Sequence, residues 1–174
     1  MSRFLDEGRP ARYFTILPSP LGELLLAGDG EALTHLSFEA GDGTHDVPDG
    51  AARDEGALRT AVRELEAYFA GELHAFSVLL APGGTAFERR VWEHLREIPC
   101  GSTESYGDVA SAIGRRGAAR AVGLANGRNP IAIIVPCHRV VGRDGSLTGY
   151  GGGMDRKRWL LDHERGLFST PLKP

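Results

Sequence analysis

At Pro82-Gly83-Gly84 the chain changes its period, and that break limits what it can fold into. Proline fixes φ and glycine frees it, so no helix or strand runs through such a triplet. Before it, apolar residues come in short strand-like runs; after it, they recur at helical spacing. Arg12 to Leu17 and Gly22 to Ala27 read as strands joined by the turn Pro18-Ser19-Pro20. Asp29-Gly30 reads as a two-residue hairpin leading into Ala32 to Phe38. Gly41 to Arg53 is rich in Gly and Asp without periodicity and reads as a mobile loop. Leu58, Ala61, Val62, Leu65 and Phe69 share one helical face. Gly71 stops that helix, and Phe76 to Leu80 reads as a returning strand. No chemistry is legible in this half, whose histidines His35, His45 and His74 are scattered.

After the break, Thr85 and Glu88 fit a capping box opening a helix with Phe87, Val91, Trp92, Leu95 and Ile98 on its apolar face. Pro99 and Gly101 end it. Ser105 caps a second helix carrying Val109, Ala110 and Ile113, which stops at Gly114. Arg115-Arg116-Gly117 makes a turn, and a third helix runs from Ala118 to about Asn126. Two short helices joined by a Gly-containing turn fit a helix-turn-helix, or a generic small bundle. The third helix is slim, with Arg120 its one long polar side chain. Such a helix can press into a groove only about 6 Å wide, although tight packing within the protein would also call for small residues. A last helix, Asp155 to His163, packs Trp159, Leu160 and Leu161. The fold class is therefore α+β: a small antiparallel-sheet domain over 1–83, and a mainly helical domain with a helix-turn-helix over 84–174.

Charge follows the same division. Residues 1–85 carry 6 Lys/Arg against 14 Asp/Glu, a balance of −8, and residues 86–174 carry 14 against 9, a balance of +5. A basic half beside an acidic one points to a polyanionic partner for the second half. No apolar run approaches the roughly 20 residues of a membrane span. The first residues lack the apolar centre of a secretory signal, so a reducing compartment is expected. Cys100 and Cys137 form no disulfide framework there, and no CxxC or HExxH spacing marks a metal site.

The candidate chemistry lies at Pro136-Cys137-His138-Arg139-Val140. The apolar run Ile131 to Val135 reads as a buried strand that presents Cys137 where a stiff element meets a loop. His138 is placed to favour the thiolate, the strongly nucleophilic form. The same pair also fits a small core hydrophobe beside a surface histidine. Gly142-Arg143-Asp144-Gly145 reads as a turn, and the Gly-rich loop around Tyr150 can line a slot for a flat ring. Glu164 either orients a histidine or is a surface charge.

Five ordered segments then join. The stretch Gly84 to Gly107, Ala118-Ala-Arg-Ala-Val-Gly123, Asn129-Pro130, Pro136-Cys-His-Arg-Val140 and Trp159-Leu-Leu-Asp-His-Glu164 together resemble the O6-alkylguanine-DNA alkyltransferases. The resemblance is dense over residues 84–166 and loose before them, where it implies a ribonuclease-H-like structural domain. It implies direct repair of alkylated guanine, and of O4-alkylthymine, in duplex DNA bound through its minor groove by a monomer. Cys137 then accepts the alkyl group once, His138 with Glu164 acts as its base, and Asn129 braces the turn before it. By the same resemblance Arg120 enters the base stack, and Tyr106 turns a phosphate and bonds the flipped base. Ala119, Gly123 and Arg128 are further DNA contacts, and Val140, Tyr150 and Gly151 line the base pocket. No cofactor or metal is implied, and the setting is a bacterial cytoplasm, or the nucleus of a eukaryote. Ala132 stands where some relatives have proline and Gly151 where some have serine, both beside the pocket. Two other readings compete: a non-catalytic lesion-binding protein, and a Cys-His-Glu hydrolase that would turn over without DNA.

Overall fold

The computed structural model describes residues 4–5 and 8–169, without the side chains of 168 and 169. The expectation about the first residues lies outside them, Phe4 and Leu5 apart. The described residues divide into two compact units, one up to Thr85 together with Pro130–Ile134, the other Ala86–Asn129 together with Val135 onward. The second unit is thus interrupted by a segment that packs with the first.

In the first unit β1 (Tyr13–Ser19), β2 (Gly22–Gly28) and β3 (Leu33–Phe38) form an antiparallel meander. A two-residue strand β4 (Ala52–Arg53) adds to β1 in parallel, giving the order β3-β2-β1-β4. Pairing with β1 captures the end of the stretch expected as a mobile loop. The central strand β2 is buried from Leu24 to Gly28 without alternation, as a strand covered on both faces must be. The hairpin after it is wider than two residues: Asp29 Oδ1 accepts from the N–H of Glu31 (2.9 Å) and Ala32 (2.8 Å), and the register shifts between Ala27 and Gly28. Helix α1 (Arg59–Phe69) buries Ala61, Leu65 and Tyr68, so Tyr68 takes the core place expected for Phe69. Gly71, at φ 78°, follows its end. The strand expected over Phe76 to Leu80 is reduced to bridges from Leu80 to Phe4 and Leu33.

In the second unit α2 (Ala86–Leu95) buries Val91, Trp92 and Leu95. Phe87 stays half-buried, with the Arg115 guanidinium 6.0 Å from its ring centre. A short strand β5 (Glu104–Ser105) leads into α3 (Tyr106–Ala112), whose capping box joins the Ser105 hydroxyl to the Asp108 N–H and the Asp108 carboxylate to the Ser105 N–H. Gly114 (φ 72°) and Gly117 (φ 82°) shape the turn into α4 (Ala119–Gly127). Trp92 Nε1 donates to the Ala125 carbonyl at 2.8 Å, tying α2 to α4 through the core. These are the helices expected of a helix-turn-helix. β6 (Val140–Val141) pairs in parallel with β5, and α5 (Met154–Ser169) closes the unit.

The run Ile131 to Val135 is not a strand. Ile131 makes one bridge to Leu36, after which Ile134 N–H donates to Ala132 O at 2.7 Å around Ile133, whose φ is 68°. A β-branched residue seldom adopts that conformation. A second tight turn follows at Pro136 (φ −82°, ψ 64°), closed by Cys137 N–H to Val135 O at 2.8 Å. Five apolar residues without alternation, four of them buried, look alike whether extended or coiled, which is why the pattern misled.

Gly28 supplies a test of the first unit. A Cβ there would sit 2.2 Å from the Ala32 carbonyl oxygen and 3.0 Å from Leu58 Cδ2. Gly28→Ala is expected to cost about 1–3 kcal/mol, as overpacked sites do. A lower urea midpoint at unchanged slope would show it.

Candidate active site

Cys137, His138 and Arg139 occupy a single 3₁₀ turn after Pro136, closed by Arg139 N–H to Pro136 O at 3.0 Å. All three are buried. The turn is held by side chains from other elements. Asn129 Nδ2 donates to Val135 O at 2.8 Å, and Asn126 Nδ2 donates to the Cys137 carbonyl at 3.3 Å. Asn129 thereby ties the end of α4 to the backbone two residues before Cys137. Asn126, its neighbour on α4, went unnoticed in the sequence.

Glu164 settles the geometry. It projects from α5 with no exposed surface. Its Oε1 accepts from His138 Nε2 at 2.7 Å and from Arg139 Nη2 at 2.9 Å. Its Oε2 accepts from Arg139 Nε at 3.0 Å and from the Gly101 N–H at 3.3 Å. The third guanidinium nitrogen of Arg139 donates to Ile98 O at 2.6 Å. Burial alone would raise the Glu164 carboxyl, but the hydrogen bonds and charges of His138 and Arg139 outweigh it and hold the group well below the ordinary carboxylate range. Burial pushes His138 down, with Glu164 pulling the other way, so the imidazole is neutral. With Nε2–H given to Glu164, Nδ1 carries the free lone pair. It has no hydrogen-bond partner within the protein.

Cys137 is only 6% exposed. Burial raises its thiol, while Asn129, the Lys157 charge and the Tyr150 hydroxyl pull it back. At rest the sulfur is protonated. Tyr150 faces it, and burial raises that phenol well above its ordinary value. Val140 starts β6, and its carbonyl accepts from Lys157 Nζ at 2.6 Å. Tyr106 Oη donates to the Thr148 carbonyl at 3.2 Å, which places the start of α3 against the loop carrying Tyr150. Gly151 is exposed, and a Cβ on it would come no nearer than 4.0 Å to Gly127 O.

The remaining expected site residues lie apart from the sulfur, on α4. Arg120, Ala121, Leu124, Gly127 and Arg128 face outward, and Ala119 and Gly123 are half-buried. Leu124, 61% exposed, is the one large apolar side chain found so open among the described residues. A Cβ on Gly123 would meet the Tyr106 ring at an ordinary 3.8 Å, so packing does not demand glycine there. Arg128 bonds Glu88 at 3.1 Å while staying largely exposed. Trp159 is half-buried and stacks on His163 (4.8 Å, 16°) instead of entering the core as expected. The buried stripe of α5 is Lys157, Leu160, Leu161 and Glu164. Two charges sit on an apolar spacing, a signal that the sequence carried and that went unread, Glu164 having been given its role only through the family resemblance. In the first unit, Glu23, Glu39 and His45 bring one ligating atom each within 4.8 Å, a cluster accounted for by the His45–Glu23 ion pair at 3.2 Å.

The shifts predict how stability responds to acid. The folded His138 refuses a proton that the unfolded chain accepts below about pH 6.5, so stability falls there. Glu164 stabilises above the unfolded carboxylate value of about 4.3 and loses that contribution as pH drops further. Urea denaturation across pH should show both declines. Glu164→Gln should be weaker by about 3–5 kcal/mol at neutral pH, having left Arg139 buried without its ion pair, and should lack most of the lower decline.

Comparison with known proteins places the chain in a family. Residues 86–166 match the family model described as 6-O-methylguanine DNA methyltransferase, DNA binding domain, and residues 12–82 match its ribonuclease-like domain. A methylated-DNA--protein-cysteine methyltransferase of Methanosarcina acetivorans is 55% identical, covering 87% of this chain and 97% of that protein. One from Mycobacterium tuberculosis is 54% identical over 92% and 96%. The crystal structure of Mycobacterium tuberculosis OGT in complex with DNA superposes with a TM-score of 0.83 at 53% identity, covering 89% of this chain and 94% of that one. The O6-methylguanine-DNA methyltransferase of Pyrococcus kodakaraensis, at 27% identity, gives 0.60 over 87% and 98%. The chain belongs to the 6-O-methylguanine DNA methyltransferase family.

Proposed function

We propose that this protein repairs DNA directly, by moving the alkyl group of O6-alkylguanine onto Cys137. The observation that carries the reading is the buried hydrogen bond by which Glu164 orients a neutral His138, next in the 3₁₀ turn to a protonated Cys137. His138 Nδ1, the basic nitrogen of that tautomer, takes the thiol proton through a bridging water. The sulfur then attacks the alkyl carbon. A C–S bond forms, the O6–C bond breaks, and the released base regains a proton to become guanine. The product thioether is a poor leaving group, so each molecule acts once.

Such a step needs the base outside the helix, because a stacked guanine cannot present its substituent in line to a sulfur. The outward face of α4 suits the task of extruding it. Arg120 supplies the group that fills the stack, while Ala121 and Gly127 keep the helix slim enough for a minor groove. Arg115, Arg116 and Arg128 are exposed around it and suit phosphates. Tyr106 releases Thr148 to meet the flipped base, which enters between Val140 and the Tyr150 loop. The lesion-binding alternative has no use for the relay around Cys137.

Intact-protein mass after mixing with a duplex holding one O6-methylguanine should rise by one methyl group, mapped to Cys137 and saturating at one per molecule. Cys137→Ala should bind the same duplex and gain nothing. Arg120→Ala should lose on the order of tenfold or more on duplex, yet react normally with free O6-benzylguanine, since extrusion matters only in DNA. Equal losses on both substrates would remove Arg120 from the extrusion step.

A further inference from the structure

Lys157 is fully buried, which lysines almost never are unless paired. Among the described residues no carboxylate pairs with it. Its ammonium instead donates to two backbone carbonyls, Val140 O at 2.6 Å and Thr148 O at 2.9 Å. The first belongs to the strand that leaves the nucleophile turn. The second belongs to the loop that carries Tyr150. A single side chain from α5 thus bonds both segments that are proposed to enclose the base. The Thr148 oxygen also accepts from Tyr106 Oη, so both of its lone pairs are engaged.

We propose that Lys157 is a positioning residue of the transfer reaction, clamping the Val140 and Thr148 carbonyls so that the base slot keeps one width and a fixed cation faces Cys137. The proposal rests on the reading of Cys137 as alkyl acceptor. When Tyr106 turns to the flipped base it gives up Thr148, and Lys157 is then the side chain that still holds the loop to the nucleophile turn. A neutral donor could satisfy the carbonyls but would leave no charge beside the sulfur. The groups acting directly on that sulfur are Asn129, Lys157 and the Tyr150 hydroxyl, and of these Lys157 is the cation. Behind them His138 and Arg139 are committed to Glu164. The attraction is mutual, since burial lowers the ammonium and Cys137 restores it.

A merely structural lysine would change stability and nothing else, so the test separates slot, charge and fold. Lys157→Met and Lys157→Arg are compared with the parent protein in the full chain, well below their melting temperatures. Three quantities are read: the rate with free O6-benzylguanine, which needs the slot; the pH profile of Cys137 alkylation by iodoacetamide, which needs only the thiolate; and methyl transfer from duplex. Lys157→Met should slow O6-benzylguanine by about tenfold or more and move the iodoacetamide profile to higher pH by about one unit. Lys157→Arg should keep the parent profile while still slowing O6-benzylguanine, because a planar fork cannot replace the ammonium between the two carbonyls. A folded Lys157→Met with parent rates and profile overturns the proposal. If that variant fails to fold, Lys157→Arg decides, and parent behaviour in both reactions overturns it equally. Should the parent protein itself take no alkyl group from either guanine substrate while iodoacetamide still labels Cys137, the acceptor reading falls. The iodoacetamide profile then continues to judge the cation's place beside the sulfur.

Discussion

A carboxylate with no exposed surface is the constraint that the helical unit is arranged around. Glu164 would be prohibitively costly to bury alone, and its ionisation is secured by a two-pronged bond to Arg139. Arg139 in turn needs somewhere for its third nitrogen, which the end of the chain segment after α2 provides through Ile98 O. The Gly101 N–H completes the set. One acidic side chain on α5 thereby fixes the 3₁₀ turn and the loop after α2. His138 is oriented as a by-product of the same bonds. Catalytic geometry and the packing of the unit are one problem with one solution.

The slot on the other side of Cys137 is built by the same economy. Lys157 lies two helical turns before Glu164 on α5, with Leu160 and Leu161 between them on the buried stripe. The acidic end holds His138 and Arg139, and the basic end holds the Val140 and Thr148 carbonyls. A rigid helix carries both charges, so the two sets of bonds around the Cys137 turn cannot drift independently.

Much of this was readable beforehand. The cap at Ser105, the glycine stops and the small-sided α4 follow from local chemistry, which sequence reports faithfully, whereas the return bond from Asp108 that completes a capping box there went unread. Cys137 and His138 stood out as an adjacent pair after an apolar run, Glu164 was given its role through the family resemblance, and the hydrogen bond between His138 and Glu164 joins the two segments. What failed did so for physical reasons. Ile131 to Val135 is apolar throughout and, Ala132 apart, buried, so its composition says buried without saying extended, and the tight turns at Ile133 and Pro136 leave no periodic trace. Arg139 and Lys157 look like ordinary surface cations until their partners, from 9 to 41 residues away, are known. Phe69 was placed inward by helical spacing, which Tyr68 meets as well, lying three residues after Leu65 where Phe69 lies four, and the buried stripe of α5 runs through Leu160 and Leu161 and leaves Trp159 at its edge.

A thiol that can be spent only once must also survive the wait. Free thiolates are consumed by peroxides and stray electrophiles, and susceptibility tracks ionisation and exposure. Here burial keeps Cys137 protonated and 6% exposed, which limits both its ionisation and its access to such reagents. The same burial that slows the sulfur therefore sets the shelf life of an unused molecule. For a protein consumed one for one with its lesions, that dormancy preserves the number of repairs a cell holds in reserve.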